Sequence, residues 1–220
     1  AEAIKKGVVS VDGKVADKPS LGVDENSAVT VNEYDAFVSN GGYKLEKALN
    51  DFNLSVENTV CADVGASTGG FTERLLCGGA KKVYAIDVGE SQLDESLSKD
   101  ERVKVIDNFN ARELSAQVLG EQVDVVTADV SFISLTLVLK PISDVLKVGG
   151  IALVLVKPQF ECGKKYLNKN GIVTDEKARN QAVTNVSRFA ESVGLTPVNV
   201  TNAPIKQGKN VEYLLLLKKS

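Results

Sequence analysis

The chain has 220 residues, of which 43% are hydrophobic, and a formal net charge of −3, as expected for one sizeable globular domain plus a small appendage. It contains no histidine, and its three cysteines are widely spaced, which argues against a zinc site, a disulfide framework or histidine-based catalysis, and we expect no metal. The apolar runs are shorter than the ~20 residues of a membrane-spanning helix and no targeting segment is recognisable, so we expect a cytoplasmic protein.

The charge is unevenly distributed along the chain. Residues 1–156 carry 15 basic and 24 acidic residues, whereas residues 157–220 carry 11 basic and 5 acidic residues, which is a net +6. A lysine cluster in this last third is suited to contact phosphates, although an ordinary solvated lysine surface is an equally good interpretation. The cluster comprises Lys157, Lys164, Lys165, Lys169, Lys206 and Lys209.

Residues 1–31 predict a small α/β appendage. The first residues resemble a helix end that is stopped by Gly7. Two short strand-like runs then flank Asp12-Gly13, a strong signal for a β-hairpin. We expect residues 32–43 to be a linker, because the appendage is too short to bury a core of its own.

From residue 44 onward, helical segments alternate with apolar, β-branched runs, which predicts parallel βαβ units in a doubly wound α/β sheet. Helices are expected at residues 43–52, 70–79, 90–100, 111–120, 135–150 (interrupted near Pro141) and 174–194. Strands are expected at residues 59–65, 81–89, 102–107, 122–131 and 151–159. Two final strand runs, at 196–205 and 210–219, predict a C-terminal hairpin with an antiparallel strand at the sheet edge. That ending is typical of the Rossmann-like fold of S-adenosylmethionine (SAM) methyltransferases.

The turn after the first strand, VCADVGASTGGFTERLL, is rich in small residues and lies where doubly wound folds bind ligands. A dinucleotide fingerprint would place a second glycine at Ser67, so the turn is not built for a pyrophosphate. Asp63, just before the turn, suits a cationic ligand, such as the ammonium of SAM. A strand–helix turn that holds no ligand is the alternative.

The next two strands end in further candidates for cofactor binding. Asp87 ends the second strand, 24 residues after Asp63, where a carboxylate can accept both ribose hydroxyls, although it could instead cap the next helix. Asp107 and Asn108 follow the third strand, where an adenine edge could be recognised.

Seven motifs occur in an order that points to one family: GGYKLEKAL, DVGASTGGFT, YAIDVG, DVSFISL, LVKPQFE, NGIV and APIK…NVEYLL. Together they resemble the TlyA-type (haemolysin-like) family of ribosomal RNA 2′-O-methyltransferases. The resemblance implies SAM as cofactor, ribosomal RNA or a ribosomal subunit as partner, a partial S4-like RNA-binding domain at 1–31 and an FtsJ-like methyltransferase domain at 44–220. The expected cofactor-binding residues are Asp63, Gly65, Ser67, Thr68, Gly69, Gly70, Phe71, Asp87, Asp107, Asn108 and Asp129.

The resemblance also implies a catalytic tetrad, Lys44, Asp129, Lys157 and Glu212. A ribose hydroxyl is a very weak acid, so its proton must leave as the oxygen attacks, and Lys157 is the candidate for assisting that loss. Two features depart from the family: Asn40 replaces the usual arginine of S-R-G-G, and residues 1–30 contain four lysines against five acids. Asn40 removes one possible contact with an RNA phosphate, and residues 1–30 do not present a basic face to RNA. Neither departure affects the residues of the tetrad.

Three other interpretations remain open at this point. A membrane-lytic protein would fit the haemolysin name, but the sequence has no membrane-length segment and no basic amphipathic helix. An RNA-binding protein with an inactive methyltransferase fold would not need the tetrad. A methyltransferase acting on a small molecule or a protein would not need the lysine-rich last third.

Overall fold

The computed structural model describes residues 4, 9–16, 18–24, 27–31, 37–204 and 208–220. The chain divides into two compact units at the boundary between Phe37 and Val38. The predicted helix end at Gly7 and the lysine at position 206 lie outside the described residues.

The N-terminal unit contains a three-stranded antiparallel sheet in the order β2-β1-β3. Its strands are β1 (Val9–Val11), β2 (Lys14–Val15) and β3 (Val29–Val31). Val11 pairs with Lys14, so Asp12 and Gly13 form a two-residue turn, and both have a positive φ (51° and 76°). Because primed hairpin turns need this conformation, the predicted hairpin is confirmed.

The C-terminal unit is built on a seven-stranded sheet in the order β6-β5-β4-β7-β8-β10-β9. Its strands are β4 (Val60–Val64), β5 (Lys82–Ile86), β6 (Val103–Ile106), β7 (Val123–Ala128), β8 (Leu146–Val156), β9 (Leu195–Asn202) and β10 (Tyr213–Lys219). The pairs among β4 to β8 are parallel, and β10 runs antiparallel to both β8 and β9. The predicted mostly parallel sheet with an antiparallel C-terminal strand is confirmed, although β10 lies one position inside the edge, which β9 occupies.

Helices cover both faces of this sheet, because alternate strand residues point to opposite sides. On one face, Leu45 of the Asn40–Asp51 helix and Leu75 of the Gly70–Cys77 helix are part of the core. On the other face, Ile142 of the Leu139–Val145 helix and Val186 of the Glu176–Ser192 helix are part of the core. Four-residue helices occur at Glu95–Ser98, Ala116–Leu119 and Pro158–Glu161, and short 3-10 turns at Ala111–Glu113, Leu135–Leu137 and Lys164–Tyr166.

Three predicted helices are shorter or more broken than expected. The segment 90–100 is helical only at Glu95–Ser98, where the Asp94 carboxylate accepts a hydrogen bond from the Ser96 backbone N–H. The segment 111–120 breaks into two short turns because Leu114 is extended. The segment 135–150 is interrupted before Pro141, at Val138, and Pro141 lies in the first turn of the following helix, where its missing N–H costs nothing.

The last part of the 135–150 prediction is wrong, because residues 146–150 begin strand β8. The glycine pair there forms an irregularity in the strand rather than a helix end. Gly149 has a φ of 80°, and a Cβ on Gly150 would lie 2.9 Å from the carbonyl oxygen of Asp124 on β7. The pairing register between β7 and β8 shifts at this point.

The strand order places a crevice at the carboxyl ends of β4 and β7. The chain continues from β4 to β5 and β6 on one side, and β7 and β8 lie on the other side. Such a switch point is where open α/β sheets bind ligands. The residues that follow these two strands, Gly65 and Asp129, are therefore at the centre of the candidate site.

Candidate active site

The glycine turn after β4 allows two backbone segments to approach closely. Gly65 has a φ of 81°, and a Cβ at this position would lie only 2.7 Å from the carbonyl oxygen of Asp129. Any side chain here would push the end of β7 away from the turn. Gly69 has a φ of 100° and starts the Gly70–Cys77 helix.

A second close approach brings Lys44 to the site. A Cβ on Gly70 would lie 2.2 Å from the Ser39 side-chain oxygen and 2.7 Å from the backbone nitrogen of Gly42. The first turn of the Asn40–Asp51 helix therefore packs directly on the glycine turn. This helix begins inside the segment expected to be a linker, because the Ser39 side chain accepts a hydrogen bond from the Gly41 backbone N–H.

Asp63 has a structural role inside the protein that the sequence did not predict. Its side chain is fully buried, and its carboxylate accepts hydrogen bonds from the hydroxyls of Thr72 (2.7 Å) and Thr127 (2.9 Å). Burial raises the pKa of this carboxyl to about 6, although the two threonine hydroxyls act in the opposite direction. Asp63 is thus held inside the protein, and its direct contact with a cofactor ammonium stays a prediction. Its carboxylate ties β4 to the Gly70–Cys77 helix and to β7.

Asp87 lies at the end of β5, as predicted, and faces the crevice. Its carboxylate accepts one hydrogen bond from the Ser67 backbone N–H and one from the Gly89 backbone N–H, each at 2.8 Å. These bonds fix the carboxylate beside the glycine turn. Each oxygen has a second lone pair that remains able to accept a hydroxyl from a ligand.

Two adjoining cavities lie along the carboxyl ends of the strands, with volumes of about 650 Å³ and 280 Å³. They share Gly65, Ser67, Asp129 and Ser131 as lining residues. Asp87 lines the larger cavity, whereas Thr68, Gly70 and Phe71 line the smaller one together with Lys157. Gly69 lines neither of them, and its contact with a cofactor stays a prediction.

Asp107 and Asn108 do not line either of these two cavities, and their contact with an adenine edge stays a prediction. Asp107 accepts a hydrogen bond from the Ser91 backbone N–H (3.0 Å), and Asn108 is exposed with a φ of 54°. Asn110 and Ala111, which follow shortly after in the chain, line the larger cavity.

The four residues of the expected tetrad converge beside the smaller cavity. The Lys44 ammonium donates a hydrogen bond to Glu212 Oε2 at 2.7 Å and lies 3.9 Å from Asp129 Oδ2. The Lys157 ammonium lies 2.5 Å from Asp129 Oδ1, in an ion pair rather than a directional hydrogen bond. These side chains are mostly buried, with exposures of 10% for Lys157 and about 20% for the others. Two positive and two negative charges therefore offset each other within one half-closed cluster.

Sequence reasoning missed Ser131 and Glu161, which flank this cluster. The Lys157 ammonium donates to the Ser131 side-chain oxygen at 2.7 Å. Glu161 accepts hydrogen bonds from the Ser134 hydroxyl (2.6 Å) and the Leu135 backbone N–H (2.8 Å), and its burial raises the pKa of its carboxyl. Both residues lie inside the motifs DVSFISL and LVKPQFE, but nothing in their spacing signals these contacts.

A third cavity, of about 430 Å³, opens beside the other half of the cluster. Lys44 and Glu212 line it together with Tyr43, Gln159 and Asn210. Gln159 donates a long hydrogen bond (3.5 Å) to Glu212, so its amide nitrogen faces the carboxylate. The cluster thus has one cavity next to Lys157 and another next to Lys44.

The described lysines of the predicted cluster differ in exposure. Lys157 is buried in the charged cluster, whereas Lys164, Lys165, Lys169 and Lys209 are exposed.

Across the part of the chain that the structure describes, no helix is both long and apolar enough to cross a membrane. No group of acidic, cysteine or histidine side chains suited to hold a metal ion is found in those same residues.

Comparison with known proteins identifies the family. Residues 37–220 match the family described as FtsJ-like methyltransferase. The chain belongs to this family. It is 43% identical, over 99% of its length and 82% of the relative's, to the protein from Mycobacterium tuberculosis named 16S/23S rRNA (cytidine-2'-O)-methyltransferase TlyA. The resemblance inferred from the motifs is therefore confirmed.

Two solved structures give the same result for the fold. One, from Streptococcus thermophilus, bears the name hemolysin; it is 39% identical, has a TM-score of 0.82 and covers all of this chain and 81% of that one. Another, a S-adenosylmethionine dependent methyltransferase from Listeria monocytogenes, is 17% identical with a TM-score of 0.61, over 82% of this chain and 98% of that one. The second comparison bears on the fold alone and supports the predicted Rossmann-like methyltransferase fold.

Proposed function

We propose that this protein is a SAM-dependent methyltransferase that transfers a methyl group to a ribose 2′-hydroxyl of ribosomal RNA. The observation that carries the proposal is the convergence of Lys44, Asp129, Lys157 and Glu212 beside the glycine-turn cavities. The name of the M. tuberculosis relative supports both the ribose oxygen as acceptor and a cytidine as the modified nucleotide.

The residues of the crevice fit SAM. The larger cavity, of about 650 Å³, lies within the size range of small-molecule sites, ~300–1,000 Å³, and the adjoining cavity of about 280 Å³ extends it. Asp87 offers a fixed carboxylate to the ribose hydroxyls, and Asn110 and Ala111 border the same space. The absence of a Cβ at Gly65 keeps the turn close to Asp129 and leaves the shared part of both cavities open. Ser67, Thr68, Gly70 and Phe71 would border the amino-acid end of the cofactor.

When bound, SAM supplies a methyl carbon on a cationic sulfur, and the carbon–sulfur bond breaks with its electron pair remaining on sulfur as the acceptor oxygen bonds the carbon. The chain has two tasks in this step. It must place the acceptor oxygen in line with the methyl carbon, and it must receive the proton of the hydroxyl.

Lys157 is our candidate for receiving that proton, because it borders the smaller cavity and is the most buried member of the cluster. In the resting protein Asp129 holds the Lys157 ammonium by an ion pair, and Glu212 holds Lys44 by a hydrogen bond. Lys157 must release one proton to solvent before it can receive the proton of the ribose hydroxyl. Lys44, which stays with Glu212, places a second positive charge next to the acceptor oxygen, where it stabilises the negative charge that develops as the proton leaves.

The acceptor nucleoside would occupy the 430 Å³ cavity, which adjoins the cluster through Lys44 and Glu212. The exposed lysines Lys164, Lys165 and Lys169 would contact RNA phosphates. We further propose that residues 1–31 are a partial S4-like RNA-binding domain, followed by a linker that is shorter than the expected 32–43, because the Asn40–Asp51 helix already belongs to the methyltransferase domain.

Methyl transfer from labelled SAM to naked ribosomal RNA, isolated subunits and whole ribosomes tests the proposal. We expect label in RNA with the unaltered protein, and a loss of at least ~100-fold with Lys157→Ala, as for removal of a group that moves a proton. Lys140→Ala is the matched control, because Lys140 is an exposed lysine paired with Asp144 on the Leu139–Val145 helix, and it should retain full activity. Leakage of liposomes by a protein that binds no SAM would contradict the proposal and favour a membrane-active function.

A further inference from the structure

Ser131 makes a contact for which the tetrad does not account. Its side-chain oxygen accepts a hydrogen bond from the Lys157 ammonium at 2.7 Å, and Ser131 lines both cavities of the crevice. Lys157 is almost fully buried, with 8% of its surface exposed, so few partners are available to it. Asp129 and Ser131 are the two acceptors that its nitrogen contacts among the described residues.

We propose that Ser131 is a positioning residue that aims the lone pair of neutral Lys157 at the acceptor hydroxyl. The inference rests on the proposed function. A neutral amine has two N–H bonds and one lone pair. Among the described residues, Ser131 is the one partner that fixes an N–H direction, because the 2.5 Å contact with Asp129 is an ion pair without hydrogen-bond geometry. Once Lys157 is neutral and its second N–H turns to Asp129, the lone pair is left with one direction, away from both partners and toward the smaller cavity that Lys157 lines. The hydroxyl proton moves along that direction, and the amine becomes the ammonium.

The chemistry of the partner supports this role. A second carboxylate in place of Ser131 would stabilise the ammonium strongly, because charge-assisted hydrogen bonds are roughly twice as strong as neutral ones. A serine hydroxyl fixes the geometry with a weaker preference for the charged form. The charged groups around Lys157 are Asp129 after β7, Lys44 on the Asn40–Asp51 helix and Glu212 before β10, with Asp63 behind Asp129.

The pH profile of kcat for Ser131→Ala distinguishes a loss of Lys157 alignment from a general effect on folding. We expect kcat on the plateau to fall ~10- to 100-fold, within the usual range for a group that aids proton transfer. At the same time, the rising limb of the profile should move to lower pH, because the ammonium loses an acceptor that stabilised it. Ser131→Thr keeps the hydroxyl and should restore most of kcat and the original limb.

Two controls make the outcome decisive. Ser134→Ala removes a hydroxyl of the same loop, but this hydroxyl contacts Glu161 rather than Lys157. The rising limb of the kcat profile of Ser134→Ala should therefore stay at the pH of the unaltered protein. Calorimetric titration with S-adenosylhomocysteine should give affinities within threefold for the unaltered protein and for Ser131→Ala. A plateau and a limb that both stay unchanged in Ser131→Ala would overturn the inference, and so would a loss of binding that accounts for the whole defect. If the unaltered protein transfers no methyl group, the proposed function itself fails instead.

Discussion

Replacing Asp63 by asparagine tests the internal role that the structure gives to this carboxyl. Burial raises its pKa from the ordinary value of 3.8 to about 6. The folded state therefore binds the Asp63 proton more tightly than the unfolded state does. The stability that the protonated Asp63 carboxyl contributes is fully present below pH 3.8, and it is lost as the pH rises through the folded-state pKa of about 6.

The size of this effect follows from the pKa difference. Each unit of pKa difference is worth 1.36 kcal/mol, so the ionisation of Asp63 costs the folded protein about 3 kcal/mol of stability. About half of this loss occurs above pH 5. Asparagine does not titrate. The free energy of unfolding of Asp63→Asn, minus that of the unaltered protein, should therefore rise by about 1–2 kcal/mol between pH 5 and pH 7.5. The constant part of the difference reflects the hydrogen bonds to Thr72 and Thr127 and does not affect this slope.

Urea unfolding of both proteins at several pH values measures the difference directly. Asp144→Asn, which removes an exposed carboxylate, controls for general charge effects. If the difference between Asp63→Asn and the unaltered protein is the same at pH 5 and pH 7.5, burial does not shift the Asp63 pKa, and our account of this residue is wrong.

Two further substitutions test how the turn and β5 build the site. Gly70→Ala should destabilise the protein by ~1–3 kcal/mol, because its Cβ would lie 2.2 Å from the Ser39 side-chain oxygen. The same exchange at Gly22, which has open space around it, should change the melting temperature little. Asp87→Asn should weaken binding of S-adenosylhomocysteine at least ~10-fold in calorimetry while the protein stays folded, since ribose hydroxyls lose a charged acceptor. Unchanged affinity would exclude Asp87 from the cofactor site.

Most of the fold could be predicted because its strands are short, apolar and separated by helical segments. The exceptions have local physical causes that the sequence does not display. The pattern of Gly149-Gly150 is the same for a helix end and for a strand irregularity, and only the pairing of β8 with β7 distinguishes them. Leu114 interrupts a predicted helix through an extended backbone that its side chain does not signal.

The site was predictable to different degrees. The tetrad comes from four segments far apart in the chain, so its membership came from the family resemblance, and the structure brings the four side chains together. Asp63 follows the expected pattern of an acid before a glycine turn, but its orientation depends on Thr72 and Thr127, which no local pattern reveals. Asn110 lines the larger cavity although the sequence does not mark it, whereas the contact predicted for Asn108 is not tested by the structure. Ser131 has no sequence signal at all.

The chemical position of the transferred methyl group tests the central claim most directly. Ribosomal RNA treated with the protein and labelled SAM can be digested to nucleosides and separated by chromatography with mass spectrometry. We predict label on the ribose of one nucleoside, as a 2′-O-methyl group, and its absence when Lys157 is replaced by alanine. Label on a base, or label that persists in Lys157→Ala, would contradict the assignment of the charged cluster to ribose methylation.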